Sequence, residues 1–317
     1  MEIATKGMMS LKQKVLIVVL LLIVSFAYGN DTFAKIGAYP QSNLLVSTDW
    51  LVENQGTNFY IVDVRSEGFE ENHIPGAVHF DMEMLVDDNH PIEGHLVSEQ
   101  VFEQLMNDLG VRNDQTIVVY DEGNDTAATR LFYALEYYGH EDIHVLNGGF
   151  KAWKAMHHEC SNVETVKQLG AFKARKKNKL MVEKDYVEQV IFHDDVVLLD
   201  VRSPEEYKGE DVRAKRGGHI PTAVNLEWKA VIKEDGVPFF KSAEDISSLL
   251  KQVDVPKEKK VVVYCQLANR SSHMYFTLRL MGYSDITVYE GSWAEWGNDP
   301  KTPIDNPSKF KKGLRSL

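Results

Sequence analysis

Lys260-Val261-Val262-Val263-Tyr264-Cys265-Gln266-Leu267-Ala268-Asn269-Arg270-Ser271-Ser272, running on to Leu280-Met281-Gly282, decides how the chain is read. Val261 to Tyr264 is a short apolar run rich in β-branched residues, as in a parallel strand buried on both faces. Ser271 to Met281 predicts a helix, with Met274, Leu278 and Met281 on one stripe and Gly282 as its stop. The tight loop between them begins with a cysteine. A loop entering a helix N-terminus presents unpaired N–H groups and the positive end of the helix dipole. There a cysteine gains thiolate character. Small Ala268 and turn-prone Asn269 let the backbone curl into an amide nest, and Arg270 adds a positive charge. Free cysteines are among the most buried residue types and are often structural. The strand end, helix start, arginine and small loop residues together favour a nucleophilic sulfur.

The same pattern occurs twice. Tyr60-Ile-Val-Asp-Val-Arg65-Ser66 answers Leu198-Leu-Asp-Val-Arg202-Ser203, and His73-Ile74-Pro75 answers His219-Ile220-Pro221. Ile117-Val-Val-Tyr120 answers Val261-Val-Val-Tyr264, and Asn147-Gly148-Gly149-Phe150 answers Glu290-Gly291-Ser292-Trp293. The order is conserved between the halves, so the chain is a tandem duplication of a unit of ~120 residues. Strand-like and helical stretches alternate in each unit, which predicts α/β architecture with mostly parallel sheets flanked by helices. Cys265 then sits at the carboxyl end of a strand, where such sheets build their sites.

Tyr264 to Ser271, Gly282-Tyr283, Val288 to Trp293, Glu295-Trp296, Leu199 to Ser203 and Gly218 to Pro221 together resemble the tandem-domain rhodaneses, the thiosulfate and 3-mercaptopyruvate sulfurtransferases. Ala268 departs from the glycine that many loops of that family carry. The resemblance implies two rhodanese-like domains: 35–160, inactive, and 178–300, catalytic, joined by a linker at 161–177 and followed by an extended tail at 301–317. It implies a persulfide on Cys265, bound by Gln266, Leu267, Ala268, Asn269, Arg270 and Ser271. It also implies cleft-facing basic residues from the region where the second half carries nine extra residues between Arg202 and His219, with Arg213 and Arg216 preferred. The expected partners are a small anionic donor, thiosulfate or 3-mercaptopyruvate, and a thiol or cyanide acceptor. No metal or organic cofactor is required. Asp121 stands where the second half has Cys265, and with Glu122 and Asp125 it makes that loop a poor host for a persulfide anion. Asp200 and Arg202 recur in the half without the cysteine and are expected to form a structural ion pair.

Two other functions remain open. A cysteine phosphatase or arsenate reductase needs an arginine six positions after the cysteine, where this chain has Ser271. A non-turnover persulfide carrier or redox partner would use the same loop.

The chain has 317 residues, 44% hydrophobic and 26% charged, as in globular proteins. A net charge of −12 argues against nucleic-acid partners and requires any anion site to be locally positive. Residues 1–29 read as a signal peptide: Lys6, Lys12 and Lys14, then the apolar run from Val15 to Val24, then Ala27-Tyr28-Gly29. Export to the periplasm or outside is expected, without stable membrane association after cleavage; an uncleaved anchor is the alternative. Only Cys160 and Cys265 are present, so no disulfide scaffold is expected. His157, His158 and Cys160 lack a second ligand group and read as a solvated helix end.

Overall fold

The computed structural model describes residues 39–308 except Gln55, Thr57 and Asn124. The proposed signal segment 1–29 and the end of the tail lie outside the described residues. The first half runs β1 (Leu45–Val46), α1 (Thr48–Asn54), β2 (Phe59–Asp63), β3 (Ala77–His79), α2 (Glu99–Leu109), β4 (Thr116–Tyr120), α3 (Ala127–Tyr137), β5 (Ile143–Leu146) and α4 (Gly149–Ala155). The second runs β6 (Met181–Val182), α5 (Lys184–Val190), β7 (Val196–Asp200), α6 (Pro204–Lys208), β8 (Val224–Asn225), α7 (Ala243–Gln252), β9 (Lys260–Tyr264), α8 (Asn269–Leu280), β10 (Ile286–Tyr289) and α9 (Ser292–Trp296). Each half forms a five-stranded sheet, in order β1-β5-β4-β2-β3 and β6-β10-β9-β7-β8. All pairings between named strands are parallel. The expected pair of α/β rhodanese-like units is what the chain folds into.

The apolar runs explain the layering. In β9, Val261 and Val263 enter a core shared by both halves, while Val262 and Tyr264 enter a separate outer core with Trp293 and Trp296. In β4, Ile117 and Val119 join the shared core and Val118 and Tyr120 the first half's outer core. A strand covered on both faces must be apolar at successive positions.

The shared core is built on α3 and α8. Phe132 meets Phe276 edge-on at 4.9 Å between ring centres, and Tyr133 meets Tyr275 at 5.1 Å. Glu136 of α3 accepts from Arg279 at 2.6 Å and from the Tyr275 hydroxyl at 2.9 Å. The stripe reading of α8 captured Met274, Leu278 and Met281, all buried. It missed that Tyr275, Phe276, Thr277 and Leu280 are buried as well, because α3 covers the second side.

Two hairpins cross over. The 86–96 hairpin of the first half lies on the loop after β9: a Cβ on Gly94 would come within 3.0 Å of Leu267 Cβ. The 232–240 hairpin of the second half lies on the loop after β4, with Pro238 against Gly123. The Leu96 N–H donates to Glu290 at 3.1 Å, and the Phe240 N–H donates to Asn147 Oδ1 at 3.0 Å. Glu290 and Asn147 occupy the same place in the repeat, so the exchange is reciprocal.

The linker packs on the first half while its basic residues Lys173, Arg175 and Lys176 stay exposed. Residues 161–177 form a strap on the first half: Ser161 bridges His73, Ala171 bridges Arg112, Phe172 is buried, and the Lys177 N–H donates to Tyr137 O at 2.7 Å. Asp305 of the tail bridges His219 in the same way. Among the described residues no helix is long and apolar enough to cross a membrane. Both cysteines are free, Cys160 exposed and Cys265 buried.

Candidate active site

Cys265 is the first residue beyond β9 and is 1% exposed. The neighbouring chain fixes its backbone: its N–H donates to Ser292 Oγ at 3.2 Å, and its carbonyl accepts from the Trp293 N–H at 3.0 Å. Ser292 donates in turn to the Tyr289 carbonyl at 2.9 Å, which ties the loop to β10.

The loop turns at Ala268, whose φ is +62°, in the left-handed region. That turn starts α8 at Asn269, two residues earlier than the sequence pattern suggests. It also aims the Ala268 carbonyl at three donors: Ser271 Oγ at 2.9 Å, Ser272 Oγ at 2.8 Å and the Ser272 N–H at 3.0 Å. The Cys265 thiol lies 3.6 Å from Ser271 Oγ and donates toward it. Ser271 can therefore turn its proton to the sulfur when the sulfur is anionic. Among the described residues, no protein acceptor takes the N–H groups of Gln266, Leu267 or Ala268. With the first N–H groups of α8, they give the loop the donor surplus of an anion nest.

Arg270 does not stand as an isolated charge. Its two terminal nitrogens grip the Glu206 carboxylate at 2.6 and 3.0 Å. Burial opposes ionisation of Glu206, but the Arg270 hydrogen bonds outweigh it and hold the carboxyl below its usual range. Burial likewise opposes the Arg270 charge, and Glu206 and the Cys265 sulfur together keep the guanidinium protonated. Glu206 closes the first turn of α6 in a capping box with Ser203. The pair thereby links the sulfur loop to the inserted region.

Arg213 is on the rim. Its side chain is 55% exposed and bonded to Asp211 at 2.9 Å, and its carbonyl accepts from Gln266 Nε2 at 3.2 Å. Arg216 corrects the expectation of a donor-binding cation. Its guanidinium is committed to the carbonyls of Trp296 at 2.7 Å, Thr302 at 2.8 Å, Gly297 at 3.3 Å and Asp299, so it fastens the tail to the second half. The Asp200–Arg202 pair, at 2.5 Å, is buried and has a counterpart in Asp63–Arg65 at 2.6 Å.

The matching loop of the first half is filled from within. Asp121 accepts from the Gly123 N–H at 2.7 Å and the Ala128 N–H at 3.0 Å. Its carboxylate thus occupies the nest that the second half leaves to sulfur. Burial raises the Asp121 carboxyl to about 6, with the two N–H groups opposing and Asp125 adding to the rise.

Residue patterns alone missed Glu206 as a partner, Ser292 as the backbone clamp, and two groups from the other half: the 86–96 hairpin and Arg130. Arg130 of α3 is 3% exposed and pairs with Glu290 at 2.5 Å. The one signal for these in the sequence is the change from Asn147 and Gly149 to Glu290 and Ser292 between repeats.

The description "Rhodanese-like domain" matches residues 47–156 and again 183–299. A protein of Saccharopolyspora erythraea named "Putative thiosulfate sulfurtransferase" is 33% identical over 282 residues, covering 85% of this chain and 98% of the relative. The sulfur carrier protein TtuD of Thermus thermophilus is 34% identical over 284 residues, covering 84% of this chain and 98% of the relative. Among solved structures, the anaerobic ergothioneine biosynthesis enzyme of Chlorobium limicola superposes with a TM-score of 0.73 at 24% identity, covering 84% of this chain and 71% of that one. YnjE does so with a TM-score of 0.74 at 24% identity, covering 84% and 69%. These two share the fold. The domain matches and the curated relatives support sulfur transfer as the activity.

Proposed function

The chain belongs to the rhodanese family along most of its length, and on that premise we propose that it moves a sulfane sulfur from thiosulfate to a thiophilic acceptor through a persulfide on Cys265. The observation that carries this reading is the seat of the buried Cys265 at a strand end, on a loop whose N–H groups at 266–268 find no protein acceptor among the described residues, with Ser271 Oγ 3.6 Å from the sulfur. In the first step the thiolate attacks the outer sulfur of thiosulfate. The new bond joins Cys265 Sγ to that sulfur, the donor's S–S bond breaks, and sulfite leaves with the bonding electrons. The persulfide anion stays in the nest, held by preorganised donors. In the second step cyanide or a thiolate attacks the outer sulfur, and the Cys265 thiolate returns. One covalent intermediate shared by two half-reactions gives ping-pong kinetics.

Thiosulfate is preferred to 3-mercaptopyruvate in this reading. A keto-acid carboxylate needs a cationic clamp. Arg216 is spent on carbonyls, and Arg270 is spent on Glu206 except for its field at the sulfur. The first half is inactive because the Asp121 carboxylate fills its own nest.

The test is the mass of the whole protein after incubation with thiosulfate. One sulfur atom should be gained, located on the Cys265 peptide and released by cyanide. Cys265→Ser should gain none; uptake on Cys160 in that variant would refute the site. A second reading, a carrier that loads sulfur without turning it over on small acceptors, draws on the relative named as a sulfur carrier. Repeated turnover with thiosulfate and cyanide excludes it; a single loading event supports it.

A further inference from the structure

The half without a cysteine sends one buried cation to the other half's site. Arg130 lies on α3, where its guanidinium is 5.8 Å from the Tyr133 ring centre, and makes its side-chain hydrogen bonds outside that helix. It meets Glu290 at 2.5 and 3.2 Å, Ser272 Oγ at 3.3 Å and the Gly94 carbonyl at 3.2 Å. Each partner leads to the sulfur loop. Ser272 contacts the Ala268 carbonyl through both its hydroxyl and its N–H, and so braces the left-handed turn. Gly94 lies against Leu267. Glu290 takes the Leu96 N–H and sits two residues before Ser292, which clamps the Cys265 N–H. One side chain thus holds the covering hairpin, the start of α8 and the end of β10 in fixed relation.

Its charge is also coupled to the sulfur. Burial opposes the Arg130 charge, Glu290 sustains it most, and the Cys265 sulfur adds to that support. The repeat does not demand an arginine here: the equivalent position in α8 is His273, a buried ring that burial pushes down to about 3. Arg130 therefore belongs to the second half's site and not to the architecture common to both halves.

We infer that Arg130 is a positioning residue for the chemistry at Cys265, supplied in cis by the half that has no nucleophile, bracing the loop turn from Ser272, Glu290 and Gly94 and adding a positive field at the sulfur while it is anionic. The inference rests on the sulfur-transfer reading for its functional meaning. It explains why an inactive half remains attached: that half completes the electrostatics of the active one.

The test uses the full-length chain and two readouts. The first is the rate at which iodoacetamide alkylates Cys265 at neutral pH, followed on its own peptide so that Cys160 does not interfere. The second is kcat and KM for thiosulfate. R130M alone strands Glu290 as a buried unpaired charge and risks unfolding, so the informative variant is R130M/E290Q, which removes both charges together. It should melt cooperatively, alkylate ~10-fold more slowly and lose ~10- to 100-fold in kcat/KM, the scale of one or two charge-assisted bonds. A folded R130M/E290Q with wild-type alkylation and turnover overturns the inference. R130K is the second variant, and it decides the matter even where the double one does not fold. Lysine keeps the charge but cannot bridge Glu290, Ser272 and Gly94 at once. Alkylation should stay within ~3-fold of wild type while kcat/KM falls ~10-fold. R130K unchanged in both readouts overturns the positioning role. If wild-type protein takes no sulfur from thiosulfate, the sulfur-transfer reading fails by itself, while the alkylation comparison still decides whether Arg130 acts on Cys265.

Discussion

Asp121 and Arg270 show how one carboxylate or one guanidinium sets what a loop can hold. Asp121 is buried with only two N–H donors, and its carboxyl is raised from 3.8 to about 6. The folded state therefore holds that proton more tightly than the unfolded state does. The stability from this group is fully present below pH ~3.8 and is lost as pH rises through about 6. Over that window the loss is roughly 3 kcal/mol. Asp121→Asn cannot ionise, so its melting temperature should vary less between pH 4 and 6 than that of wild type, as read by thermal melts across that range. An unchanged pH slope would show that Asp121 is not the group responsible. Arg270→Ala should lower kcat/KM for thiosulfate by ~10- to 100-fold, through loss of the positive field at the sulfur and of the Glu206 tie that holds the loop. It also strands the buried Glu206 carboxylate, so the melting temperature should fall too. Arg270→Ala/Glu206→Gln should recover the melting temperature but not the turnover. Steady-state kinetics beside thermal melts separate the two effects. The seat of Cys265 between strand and helix was legible from residue types, because strand end, cysteine, small residues and helix start are all neighbours in sequence. The neutralising partner of Arg270 was not, because Glu206 lies in the inserted region, in a run of mixed charges with no periodic signal.

At the scale of the element, β-strands were the easiest to read and α8 the hardest. Four successive apolar residues in β4 and in β9 reported directly that both faces are covered. Helix α8 carries Ser271, Ser272, His273 and Thr277 on buried sides, so its polar positions look solvent-facing in sequence. Three of them are instead satisfied locally, Ser271 and Ser272 on Ala268 and Thr277 on His273, whereas the buried His273 Nδ1 finds no partner among the described residues. The 86–96 hairpin was illegible for a different reason. It contains charged and turn residues, and its task shows in the approach of Gly94 to Leu267 and in the bonds of Leu96 to Glu290 and of Gly94 to Arg130. Gly94 has φ +79°, and a methyl group there would press on Leu267. Gly94→Ala should cost about 1–2 kcal/mol in the left-handed region and displace the hairpin from the sulfur loop. The melting temperature should fall, and the KM for thiosulfate should change more than in a surface control such as Glu93→Ala. Equal kinetics in the two variants would remove the hairpin from the site.

At the scale of the molecule, the duplication was read correctly from repeated motifs, but the relation between the halves was not. Their contacts join residues more than a hundred positions apart, such as Glu136 with Arg279 and Arg130 with Glu290. No local pattern encodes such pairings. The sequence suggests that the first half could stand alone as 30–160. The structure adds the 161–177 strap and the apolar face of α3 to what that half must bury. A fragment ending at 160 should therefore self-associate or melt well below the whole chain, as measured by analytical ultracentrifugation and thermal melts. A monomeric fragment as stable as the whole chain would contradict this.

The reciprocal hairpins also constrain the order of events when the chain refolds. Each sheet can form from contacts within its own half, but each loop is finished by a segment borrowed from the other, far away in sequence. Contacts that close long loops come late, and domain docking runs from milliseconds to minutes. After dilution from denaturant, far-UV circular dichroism should therefore recover before sulfur transfer does. The interval should lengthen in variants of the α3–α8 contact, such as Phe276→Leu, and not in variants of either outer core. The loop around Cys265 is thus a late product of folding, and a chain can hold nearly all of its secondary structure before that loop is complete.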